Sequence, residues 1–238
     1  MWLANYACAH GARAVEAGFI SACEYNQLDL ANLMIEKGAT NIEDGLYSAN
    51  IDIVKLAIVH GANDWNGGLN HACANGRHEI AKLFIMKGAT NLNDCLSDSC
   101  MLCGSFDIAK LLVEHGATSY DATFRSACYA GRREIAELMV LNGATDIAGG
   151  LSNACCGGSV KLAEFAISLG ATNFNEGLAD ACARGSHELV ELMIAHGATD
   201  WNAGFAAACY KKQHTIMRAM VERGAIRCTC CRRPIASH

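Results

Sequence analysis

A Gly-Ala pair begins at Gly11, Gly38, Gly61, Gly88, Gly116, Gly143, Gly170, Gly197 and Gly224, at steps of 27, 23, 27, 28, 27, 27, 27 and 27 residues. A period this regular marks a stack of small supersecondary units, because one such unit cannot bury its apolar face alone. Cysteine keeps the same clock: Cys23, Cys73, Cys100, Cys128, Cys155, Cys182 and Cys209 each follow a small residue and share one slot. The unit reads G-[LF]-x-x-A-C-x-x-G-x-x-E-I-A-x-L-M-I-x-x-G-A-T-x-x-N. It divides residues 1–227 into a degenerate amino-terminal cap (1–17), repeats at 18–44, 45–67 (shortened), 68–94, 95–122, 123–149, 150–176 and 177–203, and a carboxy-terminal cap repeat (204–227). A Cys-rich basic tail, 228–238, is left over.

Each unit has room for two short helices and two turns. Leu69, Ala72 and Cys73 fall at i, i+3 and i+4, on one face of a first helix; Ile80, Leu83 and Phe84 do the same for a second. Gly88 then sits where a glycine can take the left-handed conformation that ends a helix. Ser105, Ser159 and Ser186 stand just before second helices as candidate caps, with Glu79, Glu134 and Glu188 in the first turns. His60, His115 and His196 precede the closing Gly-Ala, at the negative helix end, and need no catalytic explanation.

Composition excludes several classes. The 238 residues are 52% apolar with mean hydropathy +0.14 and one proline, so an ordered core is expected rather than a disordered chain. No apolar run approaches the roughly 18 residues of a membrane span, and the start MWLANYACAHGAR lacks a basic region ahead of an apolar stretch. The expectation is a cytoplasmic chain that meets no membrane and keeps most of its fourteen cysteines reduced. No Gly-rich phosphate loop, H-E-x-x-H or G-x-S-x-G stands out, so the chain reads as no enzyme.

The stretch HACANGRHEIAKLFIMKGATNLN resembles the ankyrin repeat, whose marks are a Leu-x-x-Ala-Ala first helix, Gly-His before a leucine-rich second helix, and Gly-Ala-Asp-x-Asn. The resemblance spans nearly the whole chain. It implies an all-α, ankyrin-like helical-repeat solenoid of about eight helix pairs that binds another protein. Ankyrin units run to about 33 residues, and the positions absent here are those that carry the β-hairpin, so little or no β-structure is expected. Hairpin-poor arrays with Asp-Trp-Asn are similar to ankyrin-like proteins of large DNA viruses of amoebae, which by analogy implies a host-cytoplasm setting.

Asp-Trp-Asn occurs twice, at Trp65 and Trp201. Four residues beyond each Gly stand Val15, Ile42, Trp65, Leu92, Tyr120, Ile147, Phe174 and Trp201, apolar in every unit, so the column reads as a packing position and not a ligand-stacking pair. The cysteine ladder reads as small buried hydrophobes. Thiols one repeat apart are spaced by about 10 Å, the distance between packed helices, too far to share a zinc ion at about 2.3 Å.

Two features depart from the repeat. The tail CTCCRRPIASH offers Cys228, Cys231 and His238 as candidate zinc ligands, one short of a closed site. Residues 204–238 carry seven Lys or Arg against Glu222, while the rest of the chain carries 12 basic and 23 acidic groups. A basic end can attract nucleic acid, but without aromatic interleaving a solvated cap is favoured. The leading expectation is a monomeric, non-catalytic scaffold needing no cofactor. Its partner binds on the exposed slots of the first helices: Tyr25, Asn70, His71, Asp98, Arg125, Tyr129, Asn153, Asp180, Arg184 and Tyr210. A zinc or thiol protein centred on the tail is the alternative, and a nucleic-acid binder the third.

Overall fold

The computed structural model describes residues 11–226, which hold fifteen α-helices, one 3-10 helix and no strand. The chain divides into two compact units, Met1–Thr118 and Ser119–His238. In the first, α1 (Ala12–Glu24) pairs with α2 (Leu28–Glu36), a 3-10 segment (Ile42–Tyr47) with α3 (Ile51–Val59), α4 (Trp65–Ala74) with α5 (His78–Lys87), and α6 (Leu92–Leu102) with α7 (Phe106–Glu114). In the second, α8 (Tyr120–Ala130) pairs with α9 (Arg133–Leu141), α10 (Ile147–Gly157) with α11 (Val160–Ser168), α12 (Phe174–Arg184) with α13 (His187–Ala195), and α14 (Trp201–Tyr210) with α15 (His214–Glu222). The architecture is an all-α helical-repeat solenoid. Each first helix from the 3-10 segment onward begins three residues ahead of the repeat boundaries drawn from sequence, because the residue three beyond each Gly is its cap.

Helices of nine to eleven residues are marginal in water and depend on packing. Leu69, Ala72 and Cys73 are at most 1% exposed, and Ile80, Ala81 and Phe84 close over them from α5. First helices approach neighbours closely enough to require glycine. A methyl at Gly150 would run into the Phe124 ring of the preceding repeat, and one at Gly68 into the Phe84 ring. The six cysteines of the ladder from Cys23 to Cys182 are buried, as small core residues, and Cys209, in the last slot, is half-buried.

Local signals work as expected at several ends. Ser105 and Ser186 accept the amides of Ile108 and Leu189, whereas Ser159 makes no such bond. His115 Nδ1 lies 2.9 Å from the Leu111 carbonyl, and His196 stacks on Phe174 at 5.4 Å. In the shortened repeat, a six-residue 3-10 helix stands where others have an α-helix of ten or more residues. Buried Ser48 covers the loss: its Oγ donates to the Cys23 carbonyl (3.1 Å) and accepts the Asn50 amide (3.1 Å).

Candidate functional site

Asp-Trp-Asn is a three-part structural device. Asp64 caps α4 by accepting the Gly67 amide at 2.9 Å, and Asp200 caps α14 by accepting Ala203 at 3.0 Å. The tryptophans follow as first helical residues. Both are half-buried rather than sealed in, with the Trp65 ring 6.5 Å from Phe84. The asparagines reach forward to the next repeat: Asn66 accepts the Thr90 amide at 2.8 Å and Asn202 the Ile226 amide at 2.8 Å.

This forward clamp recurs in the slot five beyond the Gly in four other repeats. Glu43 accepts the amides of Asn63 and Asp64, Asn93 that of Thr118, Asp121 those of Thr145 and Asp146, and Asn175 those of Thr199 and Asp200. The bonds from the Asp146 and Thr145 amides hold the Asp121 carboxyl below its ordinary pKa. The preceding column has two solutions. Asp64, Asp146 and Asp200 cap their own helices, whereas Asn41, Asn91 and Asn173 donate back to the carbonyls of Glu16, Asn66 and Ala148. Sequence reasoning read the tryptophan column as apolar packing, where the structure half-covers both rings, and it missed these flanking polar columns. Their regular spacing was the available signal.

The ten residues expected to meet a partner separate by what they touch. In the first unit, Asn70 accepts from Asn91 (2.8 Å) and from the Cys95 thiol (2.9 Å), so it is engaged between repeats. His71 is half-buried, edge-on to Tyr47 at 5.5 Å and 3.2 Å from Arg77; burial and that cation lower its pKa. Tyr25 is 72% exposed at the end of α1, and Asp98 is exposed on α6.

In the second unit, Arg125 pairs with Asp146 at 2.5 Å, and Asn153 donates to the Gly149 carbonyl of its own helix. Asp180 is half-buried beside Cys156, whose thiol is pushed up to about 11 by burial and by that carboxylate. Tyr129 (45% exposed), Arg184 and Tyr210 (81%) point to water at the carboxy-terminal ends of first helices. Lys211 lies over the Tyr210 ring at 5.2 Å. The structure therefore leaves Tyr129, Arg184 and Tyr210 open along one edge of this unit.

No group of three or more His, Cys, Asp or Glu among the described residues is arranged to hold a metal, and no described helix is long and apolar enough to cross a membrane. The candidate zinc ligands Cys228, Cys231 and His238 lie outside the described residues.

No protein-family model matches the chain, and no curated protein does. Among solved structures, the chain is similar to the ankyrin repeat domain of human ASB11, with a TM-score of 0.60 and 20% sequence identity over 79% of this chain and 99% of that one. At that identity the likeness is one of fold.

Proposed function

We propose that the chain is a non-catalytic scaffold or adaptor that binds another protein through the exposed ends of its first helices. The observation that carries this reading is the recurrence of exposed Tyr and Arg at those ends, on a backbone held by packing and clamps: Tyr25, Tyr129, Arg184 and Tyr210. Tyr and Arg are favoured anchors because they bring large contact area with a polar handle. Likeness to an ankyrin repeat domain supports the same reading, since stacked repeats present extended surface rather than one chemical centre. The scaffold acts as a monomer in a reducing, cytoplasmic setting, which suits the seven cysteines buried by helix packing among the described residues.

The test is affinity capture from the native cell with mass spectrometry, comparing the parent with Tyr129→Ala/Arg184→Ala. A partner lost by the double variant at unchanged melting temperature supports the reading. Equal recovery from both moves the site elsewhere.

A further inference from the structure

The turns between first and second helices of the second unit form a row. Gly131, Gly158, Gly185 and Lys212 occupy equivalent positive-φ positions, and successive turns touch. Gly157 lies against the Tyr129 carbonyl, Arg184 lies across Gly158, and Gln213 lies across Gly185 and donates to the Arg184 carbonyl at 3.4 Å. Arg132, Lys161, Arg184, Lys211 and Lys212 are exposed along this row and form no ion pair among the described residues. Arg133 is the exception: it is committed to Glu137 at 2.7 Å and to the Phe165 ring at 4.3 Å. Two exposed tyrosines, Tyr129 and Tyr210, stand at the ends of the row.

The charge balance of these slots differs between the units. They hold Asp29, Asp52, Glu79 and Asp107 against Arg77 in the first unit, and Glu134 and Glu188 against the five cations in the second. At the opposite ends of the helix pairs in the second unit stand Asp121, Asp146, Glu176 and Asp200. Unpaired cations kept in a row on a chain of formal net charge −5 favour a partner of opposite sign.

Spacing narrows the partner. Stacked helix pairs repeat at about 10 Å, and a segment in polyproline II conformation advances about 3.1 Å per residue with about three residues per turn, so every third side chain lies on one face and meets the next turn. Four turns match a segment of about ten residues with four carboxylates. Glu134 and Glu188, in the first turns of α9 and α13, interrupt the basic row. Discrete carboxylates can step over those positions, whereas a continuous phosphate backbone cannot avoid them.

We propose that this edge of the second unit docks an extended acidic segment of a partner protein, one carboxylate to each turn. The inference rests on the scaffold reading and names the partner's chemistry.

The test uses the full chain and a fluorescent ten-residue peptide with Glu at every third position, against a peptide of the same composition with its four Glu contiguous. Tighter binding of the spaced peptide, weakened by added salt and reduced by about two- to fivefold for each of Lys161→Ala and Lys212→Ala, supports the proposal. So does recovery of the charge-reversed Lys161→Glu/Lys212→Glu protein by a peptide with Lys at the facing positions. Equal binding of the two peptides, or tighter binding of a ten-nucleotide oligothymidylate than of either, overturns it. If a cellular partner is captured through Tyr129 and Arg184 while neither peptide binds, the scaffold reading stands and the acidic-segment inference falls.

Discussion

The side-chain oxygen of Asn175 accepts the backbone amide of Thr199 at 2.7 Å, joining residues in consecutive repeats. The same oxygen takes the Asp200 amide at 3.0 Å, so one side chain satisfies two loop donors. Asn175→Ala should cost about 1–2 kcal/mol, because the amides lose their acceptor. Ala148 fills the equivalent slot one repeat earlier and has no side-chain acceptor to offer Thr172 and Asn173. Ala148→Asn should therefore stabilise the fold by about 0.5–1 kcal/mol. Urea melts of both variants check the pair; a destabilised Ala148→Asn protein would show that the clamp is not transferable.

The tryptophans should matter to stability in proportion to their half-burial. A fully buried Trp replaced by Ala costs about 3–5 kcal/mol, so Trp65→Ala and Trp201→Ala should each cost roughly half of that. Trp65→Ala should be the worse of the two, since its ring packs beside Phe84. Thermal melts decide this, and unchanged melting of both variants would reopen Asp-Trp-Asn as a binding site.

Protection from hydrogen exchange should be uneven. A 3-10 helix of six residues has poorer hydrogen-bond geometry than the eleven-residue α10. Amides near Ser48 to Asp52 should exchange sooner than those from Asn153 to Gly157. Mass-spectrometric exchange at peptide resolution checks the order.

Alkaline pH should weaken the fold through its thiols. Burial pushes the thiols of Cys155 and Cys182 up to about 12, from an ordinary value of 9.0. Between these values the unfolded chain releases protons that the native protein retains. Stability contributed by these groups is thus intact below about pH 9 and falls as pH rises, by about 1.4 kcal/mol per unit for each thiol. Melts from pH 8 to 11 should show the decline, and Cys155→Ala should show a shallower one. A slope unchanged by that substitution would exclude this thiol as a source.

Much of the fold was legible because its determinants are local and repeated. The Gly-Ala period, the i, i+3, i+4 apolar faces and the Ser caps each act within one repeat, and the structure places Leu69, Ala72, Cys73 and Phe84 in the core accordingly. The candidate surface was legible only in part. Exposure of Tyr25, Tyr129 and Tyr210 follows from helix phase, but the bonds of Asn70 to Asn91 and of Arg125 to Asp146 join positions 21 residues apart. A helical wheel shows which way a side chain points and not what the next repeat brings to meet it.

By itself the sequence determined that helix pairs form, where they end and which face each buries, since capping, glycine conformation and apolar spacing are settled within a few residues of chain. Tertiary structure alone decided which polar columns bind the next repeat, how far Trp65 and Trp201 are covered, and that the cations of the second unit share one open edge. Those outcomes depend on stacking, which brings residues some 21 to 32 positions apart into contact, and a polar side chain in a repeat looks the same in sequence whether stacking gives it a partner or leaves it in water.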